Sequence, residues 1–431
     1  MSKFVFLLTA LFFLNNCSFN ENSNIWNDKN EIKENDSTKK IFAEDKKIVS
    51  EFNQGIRLDL STIKDTKKNF NNLNNSGSQI YSGELDRIGN YKFSKWEDEK
   101  FFNFKPVFLS DGIIFFDKKG TIIRFDTNQK VIWKKNHYSK SEKKLQPKLN
   151  FLQDEQNLLI IDNIAKYYSI NINTGELNWF KINNYSFNSE IKKFKDKAFA
   201  VDYENTLRCF NIKDGSECWN LQTEDSFTIS NAKYSLIIIE NNVIFSNSIG
   251  DITAVDIESG LISWQLPTQS SSIIEETYKF KISKLVSDGR TIFFSNNKNQ
   301  FYAVDLKTGT VNWINEINSN ITPVILGNLI LTISNNGFLF VVEKNTGNII
   351  RITDLYVSYK DKKRKNINPQ GFVIANKKLY LTNSDGKIIV VDLNLGQVLQ
   401  IEKVSGSAVS EPYIFNNYLF IVRNGSVIQY K

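Results

Sequence analysis

The 431-residue chain carries one histidine, one methionine, six prolines and three cysteines. A single histidine, His137, excludes a histidine-based catalytic triad and a histidine metal cluster. No glycine-rich phosphate loop follows a strand and opens a helix. A net charge of +7 is modest for this length, and the lysines sit mostly in turns, where they read as a solvated surface rather than a nucleic-acid footprint. Long apolar runs are also missing. The one candidate, Phe4–Leu14, is too short to span a bilayer and has the size of a signal-peptide core behind Lys3.

What is abundant is Phe, Tyr, Ile and Val, the strand formers, so a large β core is within reach. The apolar run stops at Leu14-Asn15-Asn16-Cys17, which resembles a bacterial lipobox with Cys17 as the lipidated residue; Asn16 stands where a small residue is usual. We read residues 1–16 as a lipoprotein signal peptide and residues 17–90 as a lipid-anchored, mostly disordered tether rich in Asn, Lys, Asp, Glu and Ser. Ser18, not Asp, after Cys17 resembles outer-membrane sorting, which implies export into an oxidising, periplasm-facing compartment.

From Arg124 to Gln400 one phrase recurs seven times: a strand ending in Asp or Asn, a turn with Gly, then a strand that usually reaches Trp. The copies are 125–133, 172–179, 212–219, 256–264, 305–313, 343–351 and 392–400. Six keep the glycine (175, 215, 260, 309, 347 and 396), at steps of 38 to 49 residues. That period, with turn signals every few residues, marks four-stranded antiparallel sheets repeated radially. The turn glycine answers a need for positive φ, and the preceding Asp or Asn can bond amides two residues on. Each Trp falls at one phase of the outer strand and is expected to pack between blades. After the seventh copy only three strands remain, so Tyr91–Glu97, carrying Trp96, is predicted to supply the fourth. The expectation is an all-β, eight-bladed β-propeller over residues 91–431, its last blade closed by the N-terminal strand.

The phrase in Asp305–Trp313 resembles pyrroloquinoline-quinone-type repeats, and with the lipobox, tether and N-terminal Trp it resembles the BamB-like lipoproteins of outer-membrane β-barrel assembly. The resemblance implies a non-catalytic scaffold, lipid-anchored at the outer membrane, that docks on a BamA-like barrel protein and other assembly subunits and can meet unfolded outer-membrane proteins. In that family the loop after the third repeat carries an apolar-x-apolar-Arg element. Here Phe227 and Ile229 match the apolar positions and Ser230 replaces the Arg; the same alternation also fits a buried first strand of blade four. The next family loop is acidic, whereas Lys279-Phe280-Lys281 is basic, with Glu275 and Glu276 nearest. Quinone dehydrogenases of this repeat type carry an adjacent Cys pair and a Ca²⁺ site; Cys17, Cys209 and Cys218 are separate, so no cofactor and no metal are expected. A quinone-dependent oxidoreductase and a generic envelope ligand-binding propeller are the alternatives.

Two features stay open. Pairing Asn211 with Ser216 sets Cys209 opposite Cys218, close enough for a disulfide, while a slipped register leaves two free thiols. The run 360–365, KDKKRK, is either a solvated loop or a contact for lipid phosphates or an acidic partner.

Overall fold

A computed structural model describes residues 51, 58, 79–96, 104–224, 232–268 and 280–431, all within one compact unit, Ser50–Lys431. The β-rich runs form eight four-stranded antiparallel sheets. Seven are simple meanders, at 107–135, 149–182, 192–222, 236–266, 286–315, 324–354 and 369–403. The eighth joins Tyr413–Phe415, Tyr418–Arg423 and Ser426–Tyr430 to the N-terminal strand Arg87–Lys92. This is the eight-bladed propeller expected from the repeats, and blades are numbered 1 to 8 in that order.

The closing strand lies upstream of its predicted place. It ends at Lys92, which pairs with Ser426, the first residue of its partner strand, and one more bond follows, from the Phe93 amide to the Gly425 carbonyl at 3.0 Å. Trp96 therefore lies past the strand and not in the outer-strand position. Its ring packs on Phe93, Phe104, Phe115 and Phe116, and its backbone is held by the Asn424 side chain. Contact with the ring also begins before residue 91. Tyr81 is fully buried, its carbonyl accepts from Asn376 Nδ2 at 2.6 Å, and Leu58 packs among apolar residues of blades 6 and 7.

The repeated phrase is one device that joins neighbours. In the turns, Asn171, Asp256, Asp305 and Asp392 each accept the amides two and three residues ahead. The turn glycines have φ between +64° and +78°; in the first copy, which lacks Gly, Gln129 takes φ +66°. Each Trp lies on the glycine turn of the next blade. A Cβ on Gly215 would come within 2.5 Å of Trp179, and one on Gly309 within 2.7 Å of Trp264. The indole N–H of Trp133, Trp179, Trp219, Trp264 and Trp313 donates to Ile172, Ile212, Ile257, Leu306 and Lys344 carbonyls at 2.9–3.2 Å. Where the sixth copy has Arg351, its guanidinium donates to the Leu393 carbonyl at 2.9 Å, so the departure from Trp keeps the bond. A bulge precedes the latch residue in every copy: Ala303 pairs with Trp313 and Val304 with Val311, skipping Asn312. The extra residue adds twist and turns the indole toward the next blade.

Candidate functional site

In an eight-membered ring, residues from blades three apart can touch only across the middle. Lys284, at the start of blade 5, bonds Glu411 of blade 8 at 2.9 Å and Glu190 of blade 3 at 2.8 Å. Lys192 of blade 3 reaches Glu190 at 3.0 Å. Lys233, leading into blade 4, donates to Asn150 Oδ1 of blade 2 at 2.6 Å and lies over the Phe104 ring beside blade 1 at 4.3 Å. Charged side chains of blades 3, 5 and 8 thus meet across the middle of the ring, with Lys233 reaching toward blades 1 and 2.

Local structure aims these groups inward. Ser189, Ser283 and Ser410 each donate through Oγ to the carbonyl of the next residue, which is Glu190, Lys284 or Glu411. The same hydroxyls accept the amides of Val201, Ser295 and Val422 from the second strand of their blade. A serine that satisfies two backbone groups in the buried ladder fixes the direction of the residue after it. This Ser-Glu, Ser-Lys, Ser-Glu recurrence is visible in the sequence at one phase of the repeat, but its sign alternates and sequence reasoning missed it.

Burial works to raise the Glu190 carboxyl, yet Lys284, Lys192 and Lys233 outweigh it and hold it well below the usual range. Burial likewise opposes the charge of Lys284, and Glu190 and Glu411 hold it well above its ordinary value. Lys233 goes the other way. Burial, helped by Lys284 and Lys148, pushes its amine down to about 8 against the pull of Glu190 and Glu411. The Lys284 side chain keeps 42% of its surface in contact with solvent, so the axis is wet and each pair contributes about 1 kcal/mol or less.

Of the sequence-predicted site residues, Cys17, Phe227 and Ile229 lie outside the described residues. The first described strand of blade 4 is Leu236–Ile239. Phe280 is buried and covers Gly250. The Cys209–Cys218 register differs from the expected one. Phe210 does face Glu217, but Cys209 faces Trp219, and Cys218 is the extra residue of the bulge. The structure shows no bond between the two sulfurs, with Cys209 buried and Cys218 exposed. Burial, and a hydrogen bond with Cys218, push the Cys209 thiol up.

The basic run 360–365 contains a short helix, Asp361–Arg364, tied back to its own surface: Arg364 bonds Asp354 at 2.6 Å and Lys363 approaches Asp385 at 3.6 Å. His137 Nε2 lies 3.1 Å from the Gly175 carbonyl, a turn contact. Among the described residues no group of three or more His, Cys, Asp or Glu is placed to hold a metal, and no helix is long and apolar enough to cross a membrane.

The outer strands present apolar edges. Phe180 and Ile182 on blade 2 and Ile314 on blade 5 are more than half exposed. The outer edge of blade 6 is partly covered: Glu51 and Ile352 exchange both backbone bonds, at 3.0 and 2.8 Å, in an antiparallel bridge.

Residues 94–353, more than half of the chain, match the family described as outer membrane protein assembly factor BamB. No curated protein matches the sequence. Among solved structures, BamB from Moraxella catarrhalis is similar at TM-score 0.66 and 16% identity, covering 80% of this chain and 99% of that one. The computationally designed Ika8 protein is similar at TM-score 0.61 and 14% identity, over 79% and 99% of the two chains. A europium-containing methanol dehydrogenase gives TM-score 0.61 and 10% identity, over 82% and 88%. Identities this low speak for a common fold alone, scaffold and enzyme alike. The family match is of another kind, and with the eight closed blades it makes this chain a member of the BamB family of outer membrane protein assembly factors.

Proposed function

We propose that the chain is a non-catalytic scaffold lipoprotein of outer-membrane β-barrel assembly. It is anchored through Cys17 in the outer membrane, faces the periplasm, and docks on a BamA-like barrel protein and other assembly subunits. The observation that carries this reading is the family match over residues 94–353. The loop holding Phe227 and Ile229 is the proposed docking element, between the third and fourth blades. Unfolded outer-membrane proteins would meet the outer strands. Blade 6 accepts a backbone pair from Glu51 there, which supports reading the blade edges as places for strand addition.

Affinity purification of the full-length protein from cell envelopes in mild detergent is the test. A BamA-like barrel protein is expected to co-purify, and to be lost with Phe227→Ala/Ile229→Ala while the lipid label on Cys17 remains. Absence of any barrel protein, or dye reduction by the purified chain given pyrroloquinoline quinone and Ca²⁺, would overturn the scaffold reading.

A further inference from the structure

We propose that the connection between blades 6 and 7, together with the adjoining edge of blade 7, is a contact surface for a membrane of anionic phospholipid. The proposal does not depend on the assembly role, and its test is made without the lipid on Cys17.

Charge is the first ground. The connection, residues 355–368, carries Lys360, Lys362, Lys363, Arg364 and Lys365 against a single acid, Asp361. Arg364 is taken up by Asp354, and Lys363 approaches Asp385. Lys360, Lys362 and Lys365 are exposed and have no acidic partner among the described residues. Their neighbours along the chain are exposed as well, so the amines stand on a protruding turn, a shape that meets a flat surface.

Crowding is the second ground. In blade 7, Lys387 lies directly opposite Lys403 in the antiparallel register. Like charges so placed, with Cβ atoms about 4.5–5.5 Å apart, destabilise a ladder. Glu402 does not relieve them: it pairs with Ile388, one step along and so on the other face, where it acts on Tyr430. Lys387 Nζ and Lys363 Nζ each stand 5.2 Å from the Tyr359 ring centre, so this ring joins the amines of blade 7 to those of the connection. The acids placed among these six lysines and Arg364 are Asp354, Asp361 and Asp385, and positive charge is in excess.

Apolar surface and chain direction are the third. Val357, 73% exposed, stands in the same connection. An aliphatic side chain beside lysines suits the boundary of headgroup and acyl chain, which an acidic polypeptide does not offer. Glu51 pairs antiparallel with Ile352, so the N-terminal side of Glu51 points toward Asp354 and the root of the connection. A lipid on Cys17, as proposed above, would hold this end of the ring to the membrane.

The test is flotation of the full-length Cys17→Ser protein with two kinds of vesicle, phosphatidylcholine alone and phosphatidylcholine with phosphatidylglycerol in equal parts. Binding is expected on the second alone and should fall as sodium chloride is raised. Each amine removed should weaken it about fivefold, so Lys360→Gln/Lys362→Gln/Lys365→Gln should bind about a hundredfold more weakly. Lys195→Gln/Lys213→Gln/Lys307→Gln takes the same charge from exposed turns at the other end of the ring and should bind as the parent does. Melting midpoints no lower than the parent's show that both triple variants are folded. Lys403→Gln should weaken binding and raise the midpoint of the free protein at low salt, since it relieves the opposed pair; a lowered midpoint would overturn the crowding. Equal binding to both vesicles, as insertion of residues 4–14 would give, overturns the proposal. So does an equal loss in the two triple variants, or no loss in the first. Binding of soluble polyglutamate or sodium phosphate, without affinity for phosphatidylglycerol vesicles, gives the surface to a polypeptide or a free anion and overturns it too.

Discussion

The rim and the axis of this ring are held by opposite means. At the rim the same contact recurs blade after blade: an aromatic ring laid on a left-handed glycine turn, with one N–H reaching a carbonyl of the neighbour. At the axis the sign of the contributed residue changes from blade to blade, and the bonds skip neighbours to tie blades 3, 5 and 8. The rim buries apolar area that no ionic condition removes, whereas the axis depends on charges that water reaches. The rim therefore carries stability, and the axis is where this chain can be specific.

The comparison breaks first if the rim is not the stronger. Trp264 is 9% exposed and bonds Leu306 at 2.9 Å. Trp264→Ala should lower unfolding free energy by about 3–5 kcal/mol in a denaturant titration. Gly309→Ala, which drives a Cβ into the same indole at φ +72°, should cost about 1–2 kcal/mol. If Lys284→Met cost more than Trp264→Ala, the division of labour would be wrong.

Protonation sharpens it. Asp162, wholly buried beside the Tyr138 hydroxyl between blades 1 and 2, has its carboxyl pushed up to about 6 by burial, against the bonds from Tyr138, Lys166 and Ile164 that favour its charge. Its folded pKa exceeds its unfolded one, so its contribution is full below about pH 4 and lost as pH rises through about 6, a change of about 3 kcal/mol. Asp162→Asn should flatten stability across that window. Glu190, held low by lysines, has the opposite sign: its contribution is present at neutral pH and lost as pH falls. Stability curves of Asp162→Asn and Glu190→Gln from pH 3 to 8 should therefore depart from wild type in opposite directions as pH rises, the first upward and the second downward. Identical curves would remove the distinction between a dry carboxylate and one in the company of amines.

The smallest effect concerns the bulge in blade 3. The exposed Cys218 thiol can attack a disulfide-bearing oxidant, and the Cys209 thiol can then displace the oxidant's sulfur from the mixed disulfide. Two electrons and two protons pass to the oxidant and a Cys209–Cys218 bond forms. Protein isolated without reductant should weigh two mass units less and resist alkylation at both residues; reduction should cost about 2 kcal/mol. Two alkylatable thiols would show that the bulge keeps them apart.

Most of the fold was readable because it repeats. Period, turn chemistry and the count of Trp phases specified eight blades, and the three strands left after residue 400 demanded one more from upstream. The errors arose where a residue resembled a repeat it does not join. Trp96 has the spacing of a latch, yet the strand pairing ends at Lys92, opposite Ser426, where its partner strand begins. Cys209 and Cys218 have the spacing of a cross-strand pair, and a one-residue bulge displaces them.

Local rules therefore decided the blade: which residues turn, which strands pair, which face is apolar. Those preferences act over a few residues and are written next to one another in the chain. What meets at the axis was decided only when the ring closed. Lys284 and Glu411 stand 127 positions apart, and no spacing rule relates them until eight blades bring both to the same few ångströms. The same holds for Arg351, which reads as a lost Trp in the phrase and proves, against the Leu393 carbonyl, to be the same latch made from a different donor.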